Sequence, residues 1–404
     1  MLAGMASGSL VIDVDAHFEP ELDWLDDFPS LKAELPERLP TGDPRFRLGS
    51  PEMFAFFVSD DLLRGVPVAE RPPIEEMVTP AMTFMLGEQR LHDLVYAGSD
   101  QYPLTTAANV DARIAWMDDA GIDHQNAISG GGYTLARVID DPALGQRTLE
   151  AVNTTLAERL AGHGGRVRPA ACLRYDDLDW TVREMTRLRG LGSRAFLVSA
   201  EPQGGIAPSS PAFDPVWSAA TDLGMIPLLH VGMAPSLIHP GWAKDAAPGL
   251  IRLLSVLQPD QAAQVYLTAL VFGGVFERHP KLTVLISELG IEWVPRLITR
   301  LDVMAQPGVS PLVLGEYDLP RTPGEYFRDH VRISPVPALR ESPVDFLRAF
   351  PEMAVFSSDY PHHEGNGTPV TYYDDLLEGF DSTVKAGFLG GNIAAAYARM
   401  GDPL

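Results

Sequence analysis

The stretch Leu10-Val11-Ile12-Asp13-Val14-Asp15-Ala16-His17-Phe18 decides how this chain is read. Its apolar opening has the pattern of a buried strand. Strand side chains alternate with period two, so Asp13, Asp15 and His17 share one face and Val14, Ala16 and Phe18 the other. Three polar groups aimed into an interior need compensation, because uncompensated buried charge is expensive. A metal ion is the usual compensation.

Outward from this strand, a regular alternation begins at about residue 105. Helical patterns fall at 109–120, 142–162, 178–191, 214–223, 260–278, 292–304 and 344–350. Short apolar strands fall at 124–129, 168–173, 194–198, 225–231, 282–287, 331–334 and 353–358, and further helices fill the C-terminal part. With residues 11–14 as the first, eight strands are expected. Repeated strand–helix units give a parallel sheet, and eight of them a closed (β/α)8 TIM barrel of the α/β class.

The stretch 20–105 interrupts the pattern. Pro29, Pro36, Pro40, Pro44, Pro51, Pro67, Pro72, Pro73 and Pro80 forbid long helices over most of it. Its aromatic residues, such as Phe54, Phe56 and Phe57, point to an ordered cap. The expectation is one domain over 1–404, with 20–105 inserted after strand one as a Pro-rich lid. The length of 404 residues alone would suggest two or three domains.

Composition narrows the function. With 31 basic and 54 acidic residues the formal net charge is −23, which disfavours nucleic acid and anionic membrane surfaces as partners. No apolar run reaches the roughly 18 residues of a membrane span. The first ten residues lack the basic and apolar regions of a secretory signal, so a cytoplasmic location is expected. The single cysteine, Cys172, rules out an internal disulfide and a four-cysteine zinc site. It lies in the apolar run 170–173, where a thiol behaves as a small hydrophobe. No Gly-x-Ser-x-Gly elbow is present, which disfavours a serine hydrolase.

A barrel active site uses the C-terminal ends of the strands, and polar residues gather there. Strand five ends in His230, strand six in Ser287-Glu288, and strand eight in Ser357-Ser358-Asp359 followed by Tyr360-Pro361-His362-His363-Glu364. A lone histidine after an apolar strand is usually a hydrogen-bonded core residue, and a lone aspartate usually a helix cap. Four strands repeating the pattern point to metal binding.

The segments Ile12-Asp-Val-Asp-Ala-His-Phe-Glu-Pro20, Leu229-His230, Glu277-Arg-His-Pro-Lys-Leu282 and Ser357-Ser-Asp-Tyr-Pro-His362 resemble the amidohydrolase superfamily. The likeness is to its amidohydrolase-related (amidohydrolase 2) branch, which holds aminocarboxymuconate-semialdehyde and resorcylate-type decarboxylases. The resemblance implies a metal on Asp15, His17, His230 and Asp359.

Strand six departs from the pattern. The decarboxylases place a histidine there, which helps bind substrate or transfer protons, whereas this chain has Glu288. A solvated glutamate near pKa 4.3 makes a poor acid at pH 7, but glutamate bridges two cations well. Adding one of His362 and His363 gives three carboxylates and three imidazoles: Asp15, His17, His230, Glu288, Asp359 and His363. A single zinc needs only three or four protein ligands, and six mixed ligands suit two ions such as iron or manganese. A small group of amidohydrolase-like barrels that this sequence resembles uses such centres to hydroxylate small molecules.

The main expectation is therefore a di-iron (or Fe/Mn) monooxygenase, with O2 and a natural-product or amino-acid-like molecule as substrates. Glu288, Asp359 and His363 would do its chemistry. The alternative is a mononuclear hydrolase or non-oxidative decarboxylase, with zinc as a candidate metal. A non-catalytic barrel serving as a partner subunit is the third reading. Exposed apolar segments of the cap would suit a homodimer.

Other residues carry weaker signals. Glu19 reads equally as an acceptor for an imidazole N–H or as a loop glutamate. His239, Trp242, Trp293 and Tyr360 could line a pocket, whereas His279 and His330 fall at the wrong ends of their strands. His92, His124 and His163 read as ordinary. The triplet Gly130-Gly131-Gly132 reads as a turn, since no Lys-Ser/Thr follows it.

Overall fold

The computed structural model describes residues 10–18, 20, 24–35, 110–132, 135, 139, 141–234, 237, 260–306, 309, 319–336, 341–360 and 368–403. Strands β1 (Ile12–His17), β2 (His124–Ile128), β3 (Val167–Ala171), β4 (Ala195–Leu197), β5 (Ile226–His230), β6 (Val284–Ser287) and β7 (Val331–Ile333) pair in sequence order. Every pairing is parallel.

The expected eighth strand closes the barrel without forming a ladder of its own. Its first half pairs with β7: the Ile333 N–H donates to the Met353 carbonyl, and Val355 N–H to the Ile333 carbonyl. Its second half pairs with β1: Val14 N–H donates to the Phe356 carbonyl, Asp359 N–H to the Asp15 carbonyl, and His17 N–H to the Tyr360 carbonyl. Each half leaves one isolated bridge, Ile333–Ala354 and Ala16–Tyr360. Dividing the bonds between two neighbours is why the segment 353–360 is not a regular strand. Further backbone groups bond elsewhere: Phe356 N–H donates to the Phe388 carbonyl, and Ser358 N–H to Asp13 Oδ1.

Helices occupy the intervals. They include α1 (Pro29–Glu34), α2 (Val110–Ala120), α3 (Pro142–Leu160), α4 (Leu178–Gly190) and α5 (Asp214–Leu223). The helix expected over 260–278 is two, α6 (Asp260–Phe272) and α7 (Val275–Arg278). The break falls at Gly274, whose φ of 67° ends helical geometry. Then come α8 (Trp293–Met304), α9 (Pro323–His330), α10 (Pro343–Ala349), α11 (Pro369–Leu376), α12 (Ser382–Ala386), a π turn (Gly387–Gly391) and α13 (Asn392–Arg399).

Local chemistry sets many of the helix starts. The Asp141 and Asp177 side chains accept from the N–H groups of Leu144 and Trp180, and Thr322 with Glu325 forms a capping box. The apolar core lies between sheet and helices, with Phe196, Trp217, Leu228, Leu285 and Phe327 fully buried. The triplet at 130–132 is helical rather than a turn. Most of the expected cap over 20–105 lies outside the described residues. Within it, a 3-10 turn (Trp24–Asp27) and α1 are described. No helix among the described residues is long and apolar enough to cross a membrane.

Candidate metal centre

Four of the barrel's staves bring five side chains together. From β1 come Asp15 and His17, and from the end of β5 comes His230. Glu288 lies one residue past β6, and Asp359 lies near the end of the closing segment. Potential ligand atoms of Asp15, His17 and His230 lie within 4.8 Å of one another, as do those of His17, Glu288 and Asp359. His17 Nε2 is 3.5 Å from Asp15 Oδ1 and 3.3 Å from Asp359 Oδ1. His230 Nε2 is 3.8 Å from Asp15 Oδ1 and 2.6 Å from Glu288 Oε2. The two imidazoles meet edge to face, with ring centroids 5.1 Å apart.

This arrangement fits a divalent cation. Ligands about 2.1 Å from one ion stand roughly 3.0 to 4.2 Å from each other, and the Asp15–His17, His17–Asp359 and His230–Asp15 distances fall in that interval. The His230–Glu288 distance is shorter and is that of a close ion pair. Asp15 Oδ1 is buried without a hydrogen-bond partner, although it faces two imidazoles. Three buried or nearly buried carboxylates against two imidazoles leave an excess of negative charge. Burial, the largest influence on His230, pulls its pKa down, but Glu288, Asp15 and Asp359 together push it up to about 9. The pocket therefore holds a positive charge firmly.

A hydrogen-bonded shell orients these groups. Ser287 Oγ donates to Asp15 Oδ2 at 2.7 Å and lies 3.1 Å from Ser334 Oγ, which turns Oδ1 toward the histidines. Gly232 N–H donates to His230 Nδ1. Below them, Asp13 accepts from Gln125 Nε2, from the Ser358 N–H and hydroxyl, and from the Asp15 N–H. Burial raises the Asp13 pKa to about 7, against the lowering effect of the Ser358 and Gln125 bonds.

Arg113 of α2 is fully buried beneath the site. Its guanidinium donates to the His17 carbonyl at 2.6 Å and to Gln125 Oε1 at 3.1 Å. It also lies over the Tyr360 ring, 4.9 Å from the centroid. Burial lowers its pKa to about 10, which leaves it charged at neutral pH.

Glu288 and Asp359 share a backbone feature. Their φ angles are 58° and 52°, and among the described residues no other non-glycine residue has a positive φ. Such conformations persist where surrounding structure imposes them, and they cluster at functional sites.

Asp15, His17, His230, Glu288 and Asp359 are thus brought together as the sequence suggested. His362, His363, Glu19, His92, His239 and Trp242 lie outside the described residues. Tyr360 stacks on Trp116 at 3.8 Å between centroids, and Trp293 donates its indole N–H to the Leu289 carbonyl. His279 pairs with Asp214 at 3.2 Å, away from the cluster. His330 ends α9, with Nδ1 2.6 Å from the Leu282 carbonyl. Cys172 is buried.

Sequence reasoning missed Ser287, Gln125 and Arg113. For Arg113 a signal existed: it shares the buried side of α2 with Val110 and Met117, at spacings of three and four. A charged residue in an apolar stripe calls for a buried acceptor.

A parallel barrel that gathers acidic residues and histidines at the C-terminal ends of its strands is the architecture of a metal-dependent barrel enzyme. Residues 12–399 match the family model described as amidohydrolase, and the chain belongs to that family. A gamma-resorcylate decarboxylase from Rhodococcus jostii (strain RHA1) is 26% identical over 279 residues, covering 63% of this chain and 78% of that protein. An amidohydrolase from Mycobacterium avium subsp. paratuberculosis K-10 superposes with a TM-score of 0.68 at 24% identity, over 97% of this chain and 100% of that one. A dihydroxybenzoic acid decarboxylase from Polaromonas sp. JS666, with bound manganese and the inhibitor 2-nitroresorcinol, superposes with a TM-score of 0.61 at 19% identity. That match covers 97% of each chain. At such identities the two structural likenesses establish the shared fold.

Proposed function

We propose that this protein is a mononuclear, divalent-metal-dependent decarboxylase of a small carboxylated aromatic compound. The observation that carries this reading is the convergence of Asp15, His17, His230 and Asp359 from three barrel staves, at distances suited to one ion. The resorcylate decarboxylase relative and the manganese-bearing decarboxylase of the same fold support the chemistry. They favour it over the di-metal oxygenase that Glu288 suggested from sequence. Glu288 has a different partner to account for it, the His230 imidazole 2.6 Å away.

Asp15, His17 and His230 would hold the ion, with Asp359 completing the set. A divalent cation held there would supply positive charge that favours binding of an anionic, carboxylated substrate. The Asp359 carboxyl group donates a proton to the ring carbon that bears the carboxylate. The bond to the carboxylate then breaks, its electron pair returns to the ring, and CO2 departs. Asp359 recovers its proton from water. Glu288 lies against the His230 imidazole and adds negative charge to the site.

The test supplies ortho-hydroxylated benzoates to manganese-loaded protein under strictly anaerobic conditions. CO2 and the corresponding phenol are the expected products, with one ion per chain by elemental analysis. Turnover that consumes O2, or two ions per chain, would overturn the proposal in favour of the oxygenase.

A further inference from the structure

Glu341 lies in none of the staves that carry the cluster, yet it is bonded to the loop that bears Glu288. Its side chain is buried, with the residue 7% exposed. Oε1 accepts from the N–H of Ile291 at 2.9 Å and of Glu292 at 3.3 Å. Oε2 accepts from Ile291 N–H at 3.1 Å and from Val336 N–H, beyond β7, at 3.1 Å. One carboxylate thus joins the loop after β6 to the loop after β7.

The acceptance is chemically well matched. Helix α8 begins at Trp293, and its N-cap residue, Glu292, makes no side-chain cap bond. The first N–H groups of a helix need acceptors, and negative charge there is favourable. Glu341 supplies both from a different part of the barrel. The loop is shaped to admit it. Gly290 has φ 71°, and a Cβ there would lie 2.5 Å from Glu341 Oε1. Two residues earlier, Glu288 takes its own left-handed turn, φ 58°, with Oε2 2.6 Å from His230 Nε2. A left-handed glutamate needs support from its surroundings, and the Glu341 clamp begins three residues downstream.

We propose that Glu341 is a positioning residue: by clamping the Gly290–Glu292 backbone to Val336, it holds Glu288 in its left-handed turn against His230 and so sets the metal affinity of the centre. It acts through Glu288 and touches neither metal nor substrate. The inference rests on the metal-site reading above. It adds the view that the carboxylate after β6 is effective only while a second, remote carboxylate restrains its loop.

The test is a double-mutant cycle read by Mn(II) binding. The full-length protein, Glu288→Gln, Glu341→Gln and the double variant are titrated with Mn(II). Binding is followed by calorimetry and by the Mn(II) electron paramagnetic resonance spectrum. Glu341→Gln keeps the side-chain length and one acceptor oxygen, and thermal unfolding checks that it folds. Each single variant is expected to weaken Mn(II) binding by about 10- to 100-fold, the range seen when groups that orient ligands are removed. The double variant is expected to lose little more than either single one, because both changes remove the same restraint. Glu341→Asp, which is one methylene shorter, should fall between wild type and Glu341→Gln.

Multiplicative losses in the double variant, or unchanged Mn(II) affinity in Glu341→Gln, would overturn the proposal. If Glu288→Gln alone binds Mn(II) like wild type, Glu341 has no role to play through it. The proposal then fails while the decarboxylase reading stands on Asp15, His17, His230 and Asp359. A wild-type protein that binds no Mn(II) overturns both.

Discussion

Glu288 and Asp359 approach the same histidine-lined centre from different staves of the barrel, and both do so through a left-handed backbone, with φ of 58° and 52°. For a residue with a Cβ this conformation costs about 1 to 2 kcal/mol. Two such residues in one centre mean that the fold spends stability to aim these carboxylates.

The first prediction separates that backbone strain from the carboxylate. At an ordinary position alanine is the more stabilising residue, because glycine gains more freedom on unfolding. At position 288 the order should reverse. Glu288→Gly is expected to be more stable than Glu288→Ala by about 1 kcal/mol, measured by urea denaturation of metal-free protein. Equal stability, or alanine ahead, would show that the turn at 288 is not strained.

Ser287 offers a test of how Asp15 is oriented. Its hydroxyl donates to Asp15 Oδ2 at 2.7 Å. Ser287→Ala removes that bond while retaining a small residue in β6. Mn(II) affinity should fall by about tenfold, and the far-ultraviolet circular dichroism spectrum should not change. Unaltered Mn(II) affinity by calorimetric titration would mean that the barrel alone orients Asp15.

His330 governs acid stability away from the metal centre. Burial lowers its pKa to about 4, and the nearby Arg399 guanidinium adds to the effect. The unfolded chain binds a proton there below about pH 6.5, whereas the folded protein does not until about pH 4. Stability from this residue is therefore complete above pH 6.5 and is lost as pH falls toward 4. The full loss is up to about 3 kcal/mol. His330→Phe keeps the stack on Phe276, whose ring centroid lies 4.4 Å away, but gives up the bond to the Leu282 carbonyl. It should be less stable at pH 7 by about 1 kcal/mol, with a shallower decline between pH 6.5 and 4. Parallel declines in the two proteins, from urea denaturation across that range, would refute the assignment.

The polar face of the first strand could be read because period-two alternation is a local property, whereas the shift in its register against β2 between Asp13 and Ala16 could not. Asp13, Asp15 and His17 had to share a face once Val14 and Ala16 were assigned to the opposite one. His230 and Asp359 were legible for a similar reason: each follows an apolar run at the point where a barrel strand must end. The irregular closing stave was not, because its composition is that of any other strand. Only the division of its hydrogen bonds between β7 and β1 distinguishes it. Ser287 and Glu341 were invisible for a related reason. Their roles depend on Asp15 and on the Ile291 and Val336 N–H groups, which three-dimensional packing brings to them. Glu288 was noticed as a chemical departure, but its proximity to His230 follows from the register that pairs His230 with Ser287.

The closing stave also orders events in time. Asp15 and His17 come from the first strand, whereas Asp359 follows all seven named strands, and the hydrogen bonds that bring them together are those between β1 and segment 353–360. During synthesis, the early ligands emerge long before their partner. Until the closing stave is made, β1 has no neighbour on that side, and the centre lacks a wall. The cluster is complete only where the closing stave is docked on β1.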